Sequence, residues 1–221
     1  MRTLERTIVR DAATISLAAA MVGVSFGVVA AGKGIPFDKI QVMSLTVFAG
    51  GSQFVLVGGV GSGLAAAVVA GLVLNTRHIA FGLSLAPVLD GPLWRRALSG
   101  QLVIDESTVY ALAQPEPRLA RQGFYAVGVM LFVAWQVGTA VGALAGEAID
   151  YRAYGVDAAF PAGLVAMLGP QLQTRSAKMA AVLGAGIAVA ATPVLPRGTP
   201  ILVAVVGGLV AFAFDTTDES A

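Results

Sequence analysis

Long apolar runs separated by short polar breaks set the pattern of this chain. The runs fall at about residues 12–32, 41–60, 62–89, 97–113, 123–146, 159–173, 177–192 and 199–214. Turn signals mark the breaks, as in Gly-Lys-Gly-Ile-Pro-Phe-Asp at 32–38, Leu-Asp-Gly-Pro at 89–92, Gln-Pro-Glu-Pro-Arg at 114–118 and Leu-Pro-Arg-Gly-Thr-Pro at 195–200. A helix needs about 20 residues to cross the hydrocarbon core of a bilayer, so the pattern predicts seven or eight helical segments. The period-two alternation of a membrane barrel is missing. The longest polar break, around 147–158, is only a loop. The fold expected is therefore all-α: a polytopic transmembrane helix bundle forming a single domain over residues 1–221.

Composition agrees with that solvent. The chain is 57% apolar and 12% charged, with mean hydropathy +0.80, against roughly 25% charged residues in soluble domains. A net charge of +1 and the lack of a long basic run argue against nucleic acid as a partner. With no cysteine and one histidine, a metal site is starved of ligands and no cofactor is implied. The first apolar run follows a basic start and ends in a passable cleavage site. At residues 12–32 it exceeds the 7–15 residues of a signal-peptide core, so it is expected to stay as a first transmembrane helix with its basic end cytoplasmic.

Topology is open at this level. If all eight segments cross, Arg118, Arg121, Arg175 and Lys178 fall inside and the acidic loop Glu147, Asp150, Asp157 falls outside, as the positive-inside rule wants. Arg95 and Arg96 then land outside. A re-entrant piece in 41–54 or 79–89 would repair that but reverse everything downstream, unless a second one follows.

The chain also echoes itself. Gly23-x-x-x-Gly27 returns as Gly138-x-x-x-Gly142, Phe48-Ala49-Gly50 as Pro161-Ala162-Gly163, and Ala86-Pro87-Val88-Leu89 as Thr192-Pro193-Val194-Leu195. Repeat halves at about 12–113 and 123–214 would fit a common transporter architecture with broken helices. Two stripes of small residues, Gly59, Gly63, Ala67 and Gly71 running onto Asn75, and Gly138, Gly142 and Gly146, mark faces where helix backbones approach closely. The second stripe offers more contact surface than a lone bundle obviously needs, and so invites a partner helix. In Phe-Ala-Gly-Gly-Ser-Gln-Phe at 48–54, the pair Gly50-Gly51 followed by Ser52 and Gln53 is poor helix interior. A break there would turn backbone amides toward a ligand.

Charge inside the apolar runs carries the chemistry. Asn75, Arg77 and His78 interrupt one run, and Asp105 and Glu106 interrupt another. A charge in hydrocarbon costs about 2.5–3.5 kcal/mol on insertion scales, so Arg77 or His78 is expected to pair with Asp105 or Glu106. A structural ion pair is the plainer reading, and a substrate or proton role the functional one. Adjacent helical residues diverge by about 100°, while Asn75 and His78 share a face.

Four stretches, Ser44–Val55, Leu72–Leu89, Gln101–Leu112 and Tyr154–Leu168, resemble successive motifs of the AzlC family of branched-chain amino acid permeases. The resemblance runs from about Gly23 to Gly207. Its most specific pieces are the Phe-Ala-Gly-x-x-Gln-Phe box, the Asn-x-Arg-His box followed by Ser-Leu-Ala-Pro, and the Asp-Glu-Ser box. Gly51-Ser52 stand where the family usually has small alanines, and Leu164 follows Phe160-Pro161-Ala162-Gly163 where an aromatic is usual. The resemblance implies export of valine, leucine and isoleucine across the cytoplasmic membrane with a small AzlD-like membrane subunit. The missing P-loop points to secondary transport, for which the proton-motive force is the expected drive.

The residues offer what a zwitterion needs. Arg77 and the amides near Gly50, Gly51, Ser52 and Gln53 suit a carboxylate. Asp105 or Glu106 suits an ammonium, Asn75 is a further candidate substrate contact, and the surrounding valine, leucine and phenylalanine suit an aliphatic side chain. His78, with Asp105, is the candidate for a coupling proton, since imidazole ordinarily titrates near physiological pH. The competing class is an ion or small-solute channel lined by Arg77, His78, Asp105 and Glu106. An enzyme is not expected, since rhomboid-like Gly-x-Ser-Gly and Gly-x-Gly-Asp signatures are missing.

Overall fold

The structure, a computed structural model, describes residues 2–59, 63–146, 165, 172–195, 199–200, 203–208 and 210. Every regular element among them is a helix: α1 (Arg2–Gly32), α2 (Phe37–Thr46), α3 (Gly50–Gly59), α4 (Leu64–Asn75), α5 (Arg77–Leu85), α6 (Leu93–Gly100), α7 (Asp105–Leu112), α8 (Pro117–Gly146) and α9 (Arg175–Ala191). Three stretches of the described residues are long and apolar enough to cross a bilayer: Arg6–Gly32, Leu64–Leu85 and Pro117–Gly146. The chain divides into two compact units, residues 1–53 with 75–160, and residues 54–74 with 161–221. The acidic loop 147–158 and the boxes at 160–164 lie outside the described residues.

The first unit is built on α1 and α8, of 31 and 30 residues, each about 45 Å long at 1.5 Å per residue. Their glycine stripes meet. A methyl group on Gly138 would stand 2.3 Å from the Ala20 carbonyl, one on Gly142 2.0 Å from the Val24 carbonyl, and one on Gly146 2.8 Å from the Val28 backbone. From the other side, a methyl on Gly27 would stand 2.3 Å from the Thr139 carbonyl. In lipid, where apolar burial drives little helix association, such backbone proximity supplies the dispersion and Cα–H···O contacts that hold helices together. The pairs Ala20–Gly138, Val24–Gly142 and Val28–Gly146 advance together, so the two helices are parallel. The Gly138 stripe, expected to be spare for a partner, is therefore filled by α1.

Between these pillars the chain turns where its local chemistry directs. Gly34, at φ +77°, ends α1, with the Ile35 amide on the Ala30 carbonyl and the Gly34 amide on the Ala31 carbonyl, a Schellman cap. Pro36 then opens α2. α2 descends antiparallel to α8, since the Gln136 amide reaches the Ser44 carbonyl at 3.1 Å and Phe48 meets Phe132 edge-on at 5.0 Å.

The expectation of one crossing at 97–113 is replaced by a fold-back. The chain lies level with Arg121 at Asp90, where the two form an ion pair. It reaches Gly128 at Leu102 and returns to Gly123 at Tyr110. α6 and α7 are the two arms of this excursion. Leu85, Val88, Leu89, Val103, Ala111, Ala120 and Phe124 form the core that α5, α7 and α8 share, with Phe81, Leu102 and Tyr125 against it. Arg95 and Arg96 consequently lie toward the end of the first unit where α8 begins, with Arg118 and Arg121.

In the second unit, Gly59 and Ala67 meet closely, a methyl on Gly59 falling 2.6 Å from the Ala67 Cβ. Gly63 has φ +128°, a region that favours glycine. The stripe is thus divided between two helices, Gly59 closing α3 and Ala67 and Gly71 belonging to α4, which begins at Leu64. A methyl on Gly207 would stand 2.5 Å from the Gly184 amide nitrogen of α9. The two Pro-Val-Leu turns close with like bonds. After α5, Val88 and Leu89 both donate to the Leu85 carbonyl, and after α9, Val194 and Leu195 both donate to the Ala191 carbonyl.

Candidate functional site

Helix α2 stops at Thr46, and the break covers Val47, Phe48 and Ala49, just before the glycine pair expected to make it. Thr46 back-bonds its hydroxyl to the Val42 carbonyl at 2.7 Å, and the Ala49 amide closes a tight turn on the Val47 carbonyl at 2.9 Å. Gly50 and Gly51 open α3 instead. The ladder of α3 begins with the Gln53 amide on the Ala49 carbonyl, and the Ser52 hydroxyl donates to the same carbonyl at 2.9 Å.

A helix end inside a bundle leaves carbonyls that lipid cannot satisfy. Three glutamines from three elements answer them. The Gln53 amide donates to the Val47 carbonyl, that of Gln136 to Ser44, and that of Gln101 to Leu45 at 2.8 Å. Gln53 is 1% exposed, and its carbonyl oxygen accepts from the Trp135 indole at 3.1 Å. Trp135 stacks on Phe26 and lies across Gly50, where a methyl group would fall 2.7 Å from the ring. Gly50, Ser52 and Gln53 thus build and brace the break. Gln101, Trp135 and Gln136 escaped the sequence reading, because only a known helix end tells which carbonyls need donors.

The two charged boxes come together as the sequence predicted. Arg77 Nη2 lies 2.8 Å from Asp105 Oδ2, with the side chains 30% and 32% exposed. Each residue opens a helix, Arg77 after the single interruption at Thr76 and Asp105 after the turn at 101–104. Asp105 and Glu106 occupy the first turn of α7, where the partial positive charge of a helix N-terminus favours acids. Ser107 fixes that turn: its hydroxyl accepts from the Ile104 amide at 3.2 Å and donates to the Leu102 carbonyl at 2.6 Å.

Between Asp105 and Glu106, the geometry selects Asp105 as the partner. Arg77 Nε and Asn75 Oδ1 are buried and unpartnered. The free N–H can donate to a carboxylate, and the free carbonyl oxygen can accept from an ammonium. His78 Nδ1 lies 3.0 Å from the Asn75 backbone carbonyl. A carbonyl only accepts, so Nδ1 carries the hydrogen and Nε2 remains the basic nitrogen. The ring meets Phe81 edge-on at 5.7 Å.

One further contact ties the α6–α7 arm to α1, with the Tyr110 hydroxyl donating to Asp11 Oδ2 at 3.1 Å. Among the described residues, no group of three or more histidine, cysteine or acidic side chains is placed to hold a metal.

The chain matches the family described as AzlC protein over residues 14–149, a stretch that contains the break, the glutamines and the Arg77–Asp105 pair. It is similar to two proteins named "Uncharacterized membrane protein" from Helicobacter pylori strains J99 and 26695. It is 24% identical to each over 180 residues, covering 80% of this chain and 79% of the relative. No solved structure matches. With more than half of its length matched by the family model, the chain belongs to the AzlC family, as a membrane protein whose described elements are all helices.

Proposed function

We propose that this protein exports branched-chain amino acids, with valine, leucine and isoleucine as substrates, across the cytoplasmic membrane as a secondary transporter coupled to protons. The observation that carries the reading is the Arg77–Asp105 pair at two helix starts, with Arg77 Nε and Asn75 Oδ1 left unpartnered beside it. The carboxylate of the substrate joins Arg77, its ammonium takes Asn75 Oδ1 with Asp105 or Glu106, and its aliphatic side chain packs on neighbouring apolar residues. Family membership supports transport rather than catalysis. His78 Nε2 is the site for the coupling proton.

The basic ends support the orientation. α1 and α8 are parallel and start with Arg6, Arg10, Arg118 and Arg121, and the α6–α7 fold-back adds Arg95 and Arg96 to that end. The positive-inside rule makes it cytoplasmic. The matched turns at 86–89 and 192–195 support two repeat halves. A small AzlD-like subunit completes the transporter in this reading, although its docking face is not the Gly138 stripe.

Counterflow in proteoliposomes, with and without the neighbouring small membrane protein, tests this using labelled valine, leucine and isoleucine alongside methionine. Saturable, stimulated flux of at least one branched-chain substrate is expected. Flux of none would overturn the reading, and non-saturating currents of simple ions would establish the channel in its place.

A further inference from the structure

Four of the eight buried, unpartnered polar side-chain atoms among the described residues sit on two neighbouring helices: Gln41 Nε2 and Ser44 Oγ on α2, Gln136 Oε1 and Thr139 Oγ1 on α8. Gln41 and Ser44 are three residues apart and share a face, as do Gln136 and Thr139. The helices are antiparallel with Gln136 bonded to the Ser44 backbone, which brings Gln41 level with Thr139. Ser44 and Thr139 are both 0% exposed. A buried polar atom without a partner destabilises by about 1–3 kcal/mol, so such a row is out of place in a dry interface. One amide N–H, one carbonyl oxygen and two hydroxyls are the mixture of donors and acceptors that water satisfies. No charged side chain belongs to the row.

The row also has a direction. It starts near the exposed Phe37, Asp38 and Lys39 at the opening of α2. It ends where Gln101, four residues before Asp105, holds the Leu45 carbonyl.

We propose that the seam between α2 and α8 is a hydrated half-channel, open at the end of the first unit where α1 finishes and running toward the turn that precedes Asp105. It gives water and small polar solutes access from the side opposite the basic N-terminal end. Its role as an access route rests on the transport reading, whereas its hydration does not.

The cysteine-free sequence allows a direct test with single substitutions and a membrane-impermeant cationic methanethiosulfonate, applied in the absence of substrate to right-side-out and inverted vesicles. Ser44→Cys and Thr139→Cys probe the row. Ile40→Cys and Ala143→Cys are controls on the same two helices, also 0% exposed. Thiolate formation requires water, and an apolar buried thiol is inert, so labelling of the row from the non-cytoplasmic side is expected to be at least about tenfold faster than of the controls. A smaller ratio, or labelling from the cytoplasmic side alone, overturns the proposal. Should either variant fail to give a monodisperse protein, Gln41→Cys and Gln136→Cys carry the same expectation. Because labelling is read without substrate, it can fail while amino acid flux is found, or succeed where flux is absent.

Discussion

Helix α8 presents two contrasting faces. Toward α1 it offers Gly138, Gly142 and Gly146, and the joint is made by taking side chains away until backbone meets backbone. Toward α2 it offers Gln136 and Thr139, and the joint is made by adding polar groups, some bonded and some unpartnered. The first joint has no alternative geometry at the same separation. In the second, hydrogen bonds can be exchanged for others. The transport reading proposed above asks for both a fixed frame and a joint whose bonds can be exchanged, and α8 offers a face suited to each.

The frame should break most completely. Gly142→Val places side-chain carbons where the Val24 carbonyl already stands, and overpacking of that kind typically exceeds about 1–3 kcal/mol when backbone is the obstacle. Loss of monodisperse protein on size-exclusion chromatography is expected. Gly82→Ala, where a methyl group meets nothing within 4 Å, should leave the elution profile unchanged. A well-folded Gly142→Val protein would show that the α1–α8 seam tolerates separation.

The charged pair comes next. Arg77→Ala and Asp105→Ala should each abolish measurable substrate flux, because each leaves the other charge uncompensated. In thermal unfolding the double variant should be less destabilised than the sum of the singles, with a coupling of about 1 kcal/mol for a pair so partly exposed. Strict additivity would transfer the partnership to Glu106.

A graded loss is expected along the glutamines. Gln53→Leu strands both the Val47 carbonyl and the Trp135 indole in a buried place, about 1–3 kcal/mol for each group left unsatisfied. Gln136→Leu should cost less, and Gln101→Leu, at an exposed position, least of all. Melting temperatures in a different order would refute the view that burial ranks these bonds. The smallest structural effect belongs to His78→Gln, which should leave counterflow intact and remove its dependence on an imposed pH gradient. Unchanged pH dependence would exclude His78 from coupling.

Much of this was legible where a residue violated its surroundings. Arg77 and Asp105 stand out as charges in apolar runs, so their pairing follows from the cost of leaving either alone. The choice between Asp105 and Glu106 does not follow, because a helical wheel separates them without saying which side is inward. Glycine periodicity marked the faces of α1 and α8 but not that they belong to each other. Spacing reports that a backbone is bare, not what covers it.

The α6–α7 fold-back was hidden because residues 101–104 contain neither glycine nor proline. Its signature is the helix-start chemistry of Asp105, Glu106 and Ser107 in the middle of an apolar run. Gln101 and Gln136 look like ordinary polar residues until the end of α2 is located. The boxes at 160–164 lie outside the described residues, and the second half of the predicted repeat stays a proposal.

The parallel pairing of α1 with α8 also imposes an order on biosynthesis. Gly138 leaves the ribosome 118 residues after its neighbour Ala20, which at about 5–20 residues per second is roughly 6–24 s of waiting. Throughout that interval the bare face of α1 has only lipid or the insertion machinery against it. The broken end of α2 must likewise persist without Trp135 and Gln136, which are synthesised on the same late helix. Frame and clasp can therefore close only together, when α8 enters the membrane, and the first half of the nascent chain is the state most exposed to quality control.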